Sequence, residues 1–423
     1  PHLQSDAAIL STCGERTLPK QPTVARVLHV TASSQGAGKV VLITGDREIE
    51  RLWAGSLPAP GEVFLLDGET HSVLRKLAAP LPGAWSHEGD GMRWRRRNAG
   101  GQTRMEALWK RHVIRRSVRD YLDGQGFIEI DCPLLVRGTT PDAVINSFRV
   151  GDRYLTTSTE LQMRRMQVGG FDQLYTLTQN FREADGEGTT HNPEFTMLEW
   201  VRVGGTLPSV EEDTEQLTWQ AHRELGGDKV LTWRGHTVNI EPPWERVKMA
   251  DIISRLTGAP MPDFSLASIQ AAIAAKNISV PKGWEKDRVY LFSILVDHLQ
   301  EHIGFDRPVF IYDWPAFQTS SALEKEGSEI TERSEAFICG LELCDGFLSL
   351  TDYEGQKATS RQQLERRKLE GKEEVALDQA YLDSLRLGLP QDAAMALGFD
   401  RLVMLLTDRA DIRSVLALAW DEL

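Results

Sequence analysis

The feature that most constrains the fold is a pair of apolar segments, residues 173–183 and 194–203, separated by a loop rich in glycine and charged residues. This pattern predicts two antiparallel strands joined by a hairpin loop. Arg182 lies near the end of the first strand and Phe195 near the start of the second. Because a guanidinium suits a phosphate and an aromatic face suits a purine, the hairpin is compatible with nucleotide binding. An ordinary hairpin with a surface arginine is the simpler alternative.

Composition places the chain among globular proteins. Its 423 residues suffice for two or three domains, and hydrophobic residues make up 41% and charged residues 26% of it. No apolar run approaches the roughly 18 residues that span a bilayer, so we expect no membrane segment. The four cysteines, Cys13, Cys132, Cys339 and Cys344, show no CxxC spacing. Reduced thiols, a cytoplasmic location and the absence of a zinc site are the corresponding expectations.

Net charge is distributed unevenly along the chain. The whole chain carries a formal charge of −13, of which residues 1–100 contribute +2 and the remainder −15. An acidic body repels a long phosphate backbone unless a local basic surface is present. The charge therefore argues against a large nucleic-acid interface on the acidic part.

The first hundred residues predict a small β-rich domain. Residues 1–20 are expected to form a flexible tail, and short apolar runs within residues 21–80, separated by glycine and proline, predict a barrel or sandwich. An oligonucleotide-binding (OB) barrel and an unrelated β module both fit this pattern. Residues 81–103 are predicted to be a linker. Its basic cluster at residues 93–97, RWRRR, suits RNA or an acidic partner, and a solvated linker is the simpler alternative.

Residues 104–423 alternate between helical and extended patterns. An amphipathic helix is predicted over 104–123, with Trp109 in its apolar stripe, and mainly helical sequence over 208–305. The apolar run 336–350 predicts a long strand, and a final element is predicted over 394–406. Helices that flank a series of antiparallel hairpins indicate an α+β fold rather than a doubly wound parallel sheet.

Two glutamates in the predicted long strand form a candidate metal site. Glu335 and Glu342 lie seven residues apart, so a bulge near Gly340 is needed to bring both side chains to one face. Such a pair can hold Mg²⁺ that bridges nucleotide phosphates. Two solvent-facing acids are the simpler alternative.

A second arginine begins the last predicted helix. Gly398 offers close approach to the backbone, and Arg401 offers a guanidinium for a terminal phosphate. We therefore expect Arg182 and Arg401 to converge on a single bound triphosphate.

Together these stretches resemble the catalytic domain of class II aminoacyl-tRNA synthetases of the lysyl type. The resemblance is greatest to the lysyl-tRNA synthetase paralogues that attach β-lysine to elongation factor P. It covers residues 104–423 and omits the first hundred, because those paralogues typically lack an N-terminal domain. The shared stretches are Thr157-Ser158-x-Glu160-x-x-Met163-Arg164-Arg165, residues 191–200 (HNPEFTMLEW), Gly346-Phe347-x-x-Leu350-Thr351-Asp352 and residues 396–405 (ALGFDRLVML).

The resemblance implies an ATP-dependent ligase that uses Mg²⁺. Arg182 is the implied catalytic group at the α-phosphate and the amino acid carboxylate, and Arg401 the one at the γ-phosphate. Glu335 and Glu342 are implied to hold Mg²⁺, and Phe195 to stack on adenine. The implied ATP-binding residues are Arg182, Glu183, Asn192, Phe195, Glu342, Leu343, Gly398 and Arg401. The implied substrate-binding residues are Ser158 and Glu160, at the α-amino group, with Glu199, Val201, Asp345 and Ser349.

Two substitutions depart from the family pattern around the amino acid side chain. Ser349 stands where the family has a glutamate that contacts the lysine ammonium, and Val201 stands where an aromatic residue is expected. Losing a charge-assisted contact costs about 1.5–3 kcal/mol. We therefore expect a substrate smaller or less basic than lysine or β-lysine, unless Asp345 supplies a replacement carboxylate.

The loop after Arg182 also departs from the family. Ala184 and Asp185 occupy the positions where an acid is expected to read adenine, and Glu183 and Glu187 lie nearby. Which of these acids serves that purpose stays open.

Three functions follow as hypotheses. The first is a ligase that forms an aminoacyl adenylate and transfers the aminoacyl group to a lysine of a protein similar to elongation factor P. The second is a tRNA ligase that uses the N-terminal β module for tRNA. The third is an amino-acid sensor on an inactive synthetase fold, against which the retained triphosphate-binding residues argue. The resemblance also implies a homodimer, formed through the helix and strand that lead to Pro133.

Overall fold

The structure is a computed structural model that describes residues 23–32, 37–44, 47–54, 56–67, 69–82, 84–86, 90–98, 100–183, 188–319 and 321–423. The predicted tail at residues 1–20 and the loop acids at 184–187 lie outside these ranges. The chain divides into two compact units, Pro1–Glu106 and Ala107–Leu423. Within the described ranges, no helix has the length and apolar character needed to cross a membrane.

The apolar runs of the N-terminal unit form one five-stranded antiparallel sheet, which confirms the predicted β-rich region. The strands are β1 (Thr23–Thr31), β2 (Ala37–Thr44), β3 (Arg47–Ala54), β4 (Val63–Leu66) and β5 (Val73–Ala78). Their order is β3-β2-β1-β4-β5, the order of an OB barrel opened between β3 and β5. Val27, Leu42 and Phe64 belong to its small core. A short helix, α1 (Asp90–Arg93), lies in the segment predicted to be a linker.

The remaining helices and strands form a mixed α+β architecture. The helices are α2 (Arg104–Gly124), α3 (Glu160–Gln167), α4 (Leu207–Glu224), α5 (Met249–Thr257), α6 (Leu266–Ala275), α7 (Arg288–Gln300), α8 (Tyr353–Leu369), α9 (Gln379–Leu385) and α10 (Phe399–Leu406). The strands are β6 (Ile128–Glu129), β7 (Leu135–Val136), β8 (Arg149–Val150), β9 (Arg153–Leu155), β10 (Gln173–Phe181), β11 (Glu194–Val203), β12 (Val230–Trp233), β13 (His236–Asn239), β14 (Glu245–Lys248), β15 (Val309–Pro315), β16 (Ile330–Ile338), β17 (Leu341–Leu348) and β18 (Asp392–Gly398).

An eight-stranded sheet organises this second unit. Its order is β14-β15-β16-β17-β18-β11-β10-β6. All neighbouring strands run antiparallel except the outermost pair at each edge, β14 with β15 and β10 with β6. The hairpin predicted for residues 173–183 and 194–203 consists of β10 and β11, which pair from Gln173 with Arg202 to Phe181 with Glu194. The predicted α+β class, with helices flanking an antiparallel sheet, is confirmed.

Alternation along the central strands separates a covered face from an open face. Leu198 and Trp200 of β11 and Leu397 of β18 are fully buried in the core that also contains apolar residues of α2, α4 and α10. Because successive side chains of a strand point to opposite faces, the residues between them point away from those helices. Glu199 of β11 and Ala396 of β18 therefore lie on the other face.

Helix α2 has the predicted extent but a different buried stripe. Ala107, Ile114, Val118 and Leu122 are fully buried, at a spacing of one or two helical turns. Trp109, which was predicted to belong to the apolar stripe, is 55% exposed. The prediction was wrong for Trp109. This large apolar side chain was expected to face the sheet because of its residue type, whereas the smaller Ala107 is the residue that faces it.

The apolar run 336–350 is a hairpin, so its prediction as one strand was wrong. β16 ends at Ile338 and β17 begins at Leu341, with Cys339 and Gly340 in the turn between them. Both turn residues have positive φ, 49° and 78°. This is the conformation of the tight hairpin turn whose twist matches antiparallel strands. Gly340 is the only residue of this turn that the sequence marks as a turn former.

Gly346 lies where β17 approaches β18 closely. A Cβ at this position would lie 2.6 Å from Met395 and 2.7 Å from the Ala394 carbonyl oxygen. We predict that Gly346→Ala lowers the free energy of unfolding by about 1–3 kcal/mol, the usual result of overpacking. Gly124→Ala is the control, because no heavy atom would lie within 4 Å of its Cβ. Equal midpoints for the two variants in denaturant unfolding would contradict the prediction.

Candidate active site

The open face of the sheet carries a cavity whose floor is two alanines of β18, Ala394 and Ala396. Ala396 pairs with Glu199 of β11 on one side and with Asp345 of β17 on the other. Asp345 in turn pairs with Glu335 of β16. Cross-strand partners point to the same face, so these residues form one row that is acidic apart from the alanine.

The neighbouring row is mostly apolar. Ala394 lies between Val201 of β11 and Phe347 of β17, and Phe347 pairs with Arg333 of β16. Val201, which the sequence predicts as a substrate-binding residue, lines the cavity together with Met163 of α3. The cavity therefore has an acidic row beside an apolar row.

Glu199 is held by groups that precede α3. Its carboxylate accepts a hydrogen bond from the Thr159 backbone N–H at 2.8 Å and further bonds from the Ser158 and Thr159 hydroxyls. Burial raises the pKa of Glu199, and these hydrogen bonds offset only part of that effect. Ser158 and Glu199 both line the cavity, as a substrate role requires.

Ser349, predicted to line the substrate pocket, is instead fully buried behind it. Its hydroxyl accepts a hydrogen bond from Arg164 at 2.5 Å and donates one to Asp392. The fully buried Arg164 also donates to the Tyr381 hydroxyl at 3.0 Å and lies 2.7 Å from a Glu160 carboxylate oxygen. A buried guanidinium needs several acceptors, and Ser349 is one of them. Glu160 itself lines the cavity.

Arg182 follows the end of β10 and lines the same cavity. Its guanidinium carbon lies 5.2 Å from the centre of the Phe195 ring. Its Nε is buried and has no hydrogen-bond partner among the described residues. The charge of Arg182 favours the ionised forms of both Glu199 and Glu342. An unpartnered buried donor of this kind is suited to an anionic ligand.

Arg401 lines a second cavity, together with Glu342 and His191. Its guanidinium donates to the Glu342 carbonyl at 2.9 Å and to His191 Nε2 at 2.8 Å, and lies 3.5 Å from the Glu342 carboxylate. These contacts keep Arg401 in the second cavity. The predicted convergence of Arg182 and Arg401 on one cavity is therefore not observed. Both arginine charges act on Glu342, which links the two cavities electrostatically.

Glu335 and Glu342 reach one face through a hairpin and a bulge. Glu342 on β17 lies opposite Phe337 on β16, and the register shifts by one residue just before this pair, which leaves Leu343 unpaired. Glu335 and Phe337 are two residues apart on one strand, so their side chains share a face, and the cross-strand partner Glu342 shares it. The bulge lies three residues beyond the predicted position.

The two carboxyl groups differ in their ionisation. Burial raises the pKa of Glu335, because the charge of Arg333 offsets burial only in part. Burial also opposes the charge on Glu342, but Arg401 and Arg333 outweigh it and hold the pKa of Glu342 below its usual value.

We propose this pair as the ligands of a Mg²⁺ ion that depends on substrate oxygens. Nucleotide sites bind Mg²⁺ through one or two carboxylates together with phosphates and water. Glu335 and Glu342 supply two carboxylates on one face. In the part of the chain that the structure describes, no group of three or more His, Cys, Asp or Glu residues is suited to a metal ion.

Two predicted ATP-binding residues are not lining residues of either cavity. Asn192 and Phe195 line a third cavity, together with Trp420. The Asn192 side-chain amide donates to the Glu194 carbonyl at 2.6 Å and accepts from the Trp420 backbone N–H at 3.1 Å. Both polar atoms of Asn192 therefore have partners within the protein.

The other predicted ATP-binding residues have different surroundings. Leu343 is 1% exposed and packs in the core, so its side chain does not face a nucleotide. A Cβ on Gly398 would lie 3.3 Å from the Arg401 side chain, so glycine leaves room for Arg401 to fold back over the end of β18. Glu183 is exposed, and its N–H donates to the Asn146 carbonyl at 2.9 Å. The loop acids beyond Glu183 lie outside the described residues.

Arg333 is a cavity residue that sequence reasoning missed. Its guanidinium donates to both oxygens of Asp345, at 2.9 and 3.0 Å, and to Glu335 at 2.6 Å. The available signal was its position two residues before Glu335, since strand alternation places both on the same face. Asp345, considered as a carboxylate for the substrate, is therefore already paired with Arg333.

Asp400 is a second missed residue, and it positions Arg401. It is 2% exposed, accepts a hydrogen bond from the Thr196 N–H at 2.7 Å and forms an ion pair with Arg111 of α2. These contacts join the first turn of α10 to β11 and α2. The start of α10, where Arg401 lies, is fixed in this way.

Comparison with known proteins identifies the family. The chain matches the family model described as tRNA synthetases class II (D, K and N) over residues 92–421. It is 31% identical to the lysine–tRNA ligase of Clostridium perfringens strain SM101 over 380 residues, which cover 85% of this chain and 75% of the relative. The lysine–tRNA ligases of Carboxydothermus hydrogenoformans and Pelotomaculum thermopropionicum are each 32% identical, over 81% and 84% of this chain and 72% of each relative. The chain therefore belongs to the class II tRNA synthetase family. Its catalytic domain is of the lysyl-tRNA synthetase type, and the protein is an ATP-dependent ligase.

The ion pair of Asp400 and Arg111 generates a prediction. Asp400→Asn leaves Arg111 charged without its partner, and breaking a buried pair in this way costs about 3–5 kcal/mol of unfolding free energy. The double variant Asp400→Asn/Arg111→Met leaves no unpaired charge, so we expect it to lose less than Asp400→Asn alone. Denaturant unfolding measures these two variants and the single variant Arg111→Met. A double variant as unstable as the sum of the two single variants would contradict the proposed pairing.

Proposed function

We propose that the protein activates an amino acid with ATP, releasing pyrophosphate, and transfers the aminoacyl group from the adenylate to tRNA. The observation that carries the proposal is the cavity that Arg182 and Glu160 share. A guanidinium without a partner suits the substrate carboxylate, and Glu160 suits the ammonium. Both charged ends of a free amino acid thus have a complementary group in one cavity.

The chemistry follows from charge and position. An ionised carboxylate attacks the α-phosphorus in line with the leaving pyrophosphate, so this step needs no general base. Like charges oppose the approach, and cations positioned around the phosphate oxygens stabilise the transition state. In this proposal Arg182 serves the α-phosphate. ATP extends from its cavity to Phe195, whose ring centre lies 5.2 Å from the Arg182 guanidinium carbon and which serves the adenine, and to Arg401 in the second cavity, which serves the γ-phosphate. Glu335 and Glu342 would hold Mg²⁺, which would further neutralise the phosphates.

Two observations favour tRNA as the acceptor. The match to the Clostridium lysine–tRNA ligase covers 85% of the chain, which is more than the region from Arg104 to the end contains, so the similarity extends into the N-terminal unit. That unit has the strand order of an OB barrel, a fold that binds oligonucleotides. We therefore propose residues 21–80 as a tRNA-binding module and residues 104–423 as the catalytic domain, joined by a linker.

A protein acceptor similar to elongation factor P is the second candidate. The net charge of −15 beyond residue 100 favours it, because an acidic body repels the tRNA backbone. Under either proposal the amino acid is one other than lysine, since Val201 and Ser349 replace the contacts that the family makes with the lysine side chain.

The acceptor is tested by following a labelled amino acid. We expect the label to appear on RNA, from which RNase removes it, in a reaction that requires ATP. We also expect exchange of pyrophosphate into ATP in the absence of any acceptor. Arg182→Ala is expected to lower exchange by at least 100-fold, because charge stabilisation of this kind contributes roughly 10²–10³-fold. Arg116→Ala, on the exposed side of α2, is the control and retains exchange.

The outcomes separate the candidates. Label that resists RNase and is removed by protease supports the protein acceptor. Absence of exchange with every amino acid and β-amino acid would contradict activation itself and support the sensor hypothesis.

We also propose a homodimer. β6 lies at the edge of the eight-stranded sheet, and Ile128 in β6 and Leu135 in β7 are 53% and 42% exposed. Apolar side chains beside an unpaired strand edge are typical of a surface that a second copy covers.

Light scattering tests the homodimer at micromolar concentration. We expect a mass near twice 47.4 kDa for the wild type and a shift toward the monomer for Ile128→Lys, which places a charge in the interface. Leu369→Lys, at the 83% exposed end of α8, is the matched control and should remain dimeric. A monomeric wild type would refute the proposal.

A further inference from the structure

One wall of the first cavity is an irregular segment, residues 138–146, which we call the wall segment. It contains no helix or strand, and three of its residues, Thr140, Asp142 and Ile145, line the cavity. A helix or strand would pair its own backbone groups in a regular pattern. Because the wall segment lacks that pattern, its backbone groups need partners from other parts of the chain.

Arg367, in the last turn of α8, supplies several of these partners. The residue is 2% exposed. Its guanidinium donates to the Asp142 carbonyl at 2.9 Å and to the Ile145 carbonyl at 2.5 Å, with a longer contact of 3.4 Å to the Asn146 side-chain oxygen. Its Nε donates to the Glu373 carbonyl at 3.1 Å. One side chain thus joins α8 to three residues of the wall segment.

All four acceptors of Arg367 are neutral oxygens. The neighbouring Arg366, by contrast, is paired with the carboxylates of Asp287 and Glu370. Burial of a guanidinium is unfavourable unless acceptors meet its N–H groups in suitable directions. The planar fork of arginine can reach several carbonyls at once in fixed directions, unlike the compact ammonium of lysine. The contacts of Arg367 therefore favour one position of the wall segment.

Two further side chains hold the middle of the wall segment at a single residue. Lys372 donates to the Ala143 carbonyl at 2.5 Å, and Gln363 of α8 accepts the Ala143 N–H at 3.0 Å. Both backbone groups of Ala143 are therefore paired with side chains. The carbonyls of Asp142 and Ile145, on either side, depend on Arg367.

The ends of the wall segment have partners of their own. The Thr139 N–H donates to the Ala376 carbonyl at 3.0 Å, and the Asn146 carbonyl accepts the N–H of Glu183 at 2.9 Å. Loss of Arg367 would leave these contacts in place. Its effect is therefore expected in the middle of the wall segment.

We propose that Arg367 is a positioning residue for amino acid binding, a role that rests on the proposed function of amino acid activation. Arg367 is not a lining residue of the first cavity, so it acts through Asp142 and Ile145, which are. The wall segment contributes no lining residue to the second cavity, where Arg401 lies. Loss of Arg367 therefore affects the amino acid more than the triphosphate.

The test is Arg367→Met in the full chain. Methionine fills part of the same space but cannot donate to a carbonyl. ATP–pyrophosphate exchange is first screened with the protein amino acids, ornithine and β-lysine, and the amino acid that the wild type activates best is the probe. We expect its KM to rise at least about tenfold, because a displacement of about 1 Å can cost about 10²-fold, while the KM for ATP changes little and kcat falls by a smaller factor.

Arg366→Met is the matched control. It removes an arginine from the same turn of α8, but its partners, Asp287 and Glu370, lie outside the wall segment. We expect the KM for the amino acid to stay at the wild-type value in this control. Arg367→Lys keeps the charge and reaches fewer carbonyls, so we expect its KM to lie between those of the wild type and Arg367→Met.

The outcomes decide as follows. An unchanged KM for the amino acid in folded Arg367→Met would overturn the positioning role, and so would equal increases in Arg367→Met and Arg366→Met. If circular dichroism shows that Arg367→Met is unfolded, the pair Arg367→Lys and Arg366→Lys decides by the same criterion.

A binding measurement separates this inference from the proposed function. If the wild type catalyses no exchange, activation is refuted, and the same variants are compared by calorimetry with the same panel of amino acids. A dissociation constant that rises only when Arg367 is replaced would then uphold the positioning role. Absence of binding of every amino acid to the wild type would overturn it.

Discussion

The site depends on the strict alternation of side chains along the central strands of the large sheet. Leu198, Trp200 and Leu397 pack in the core that also contains residues of α2, α4 and α10. The residues that alternate with them along each strand must therefore lie on the opposite face. A shift of one residue in the pairing of β11 with β18 would bury Glu199 in that core and expose Trp200. The apolar packing on one side thus determines the order of charges on the other.

Pattern reasoning succeeded where a feature is local. The hairpin of β10 and β11, the helix α2 and the α+β class follow from periodicity and from short turn signals. Motif resemblance led to the family, and Arg182, Glu199 and Val201 all line one cavity. What these successes share is that each depends on residues close together in the chain.

The predictions that failed concern contacts between residues far apart in the chain and the register of strand pairing. The bulge at Leu343 determines whether the side chains of Glu342 and Glu335 lie on one face. The amino-acid composition of the segment does not reveal such a bulge. Arg111 and Asp400 are separated by 289 residues, so nothing local indicates that they are partners. Ser349 was assigned to the pocket by its position in a motif, yet the buried Arg164 requires an acceptor and draws the hydroxyl into the interior.

The small side chains of Ala394 and Ala396 have an evolutionary consequence. Both alanines line the cavity, so a larger residue at either position would reduce the space left for the amino acid. Relatives that differ only here could accept amino acids of different length while keeping the same arrangement around the phosphates. Substrate preference in such a lineage can therefore diverge through these two positions.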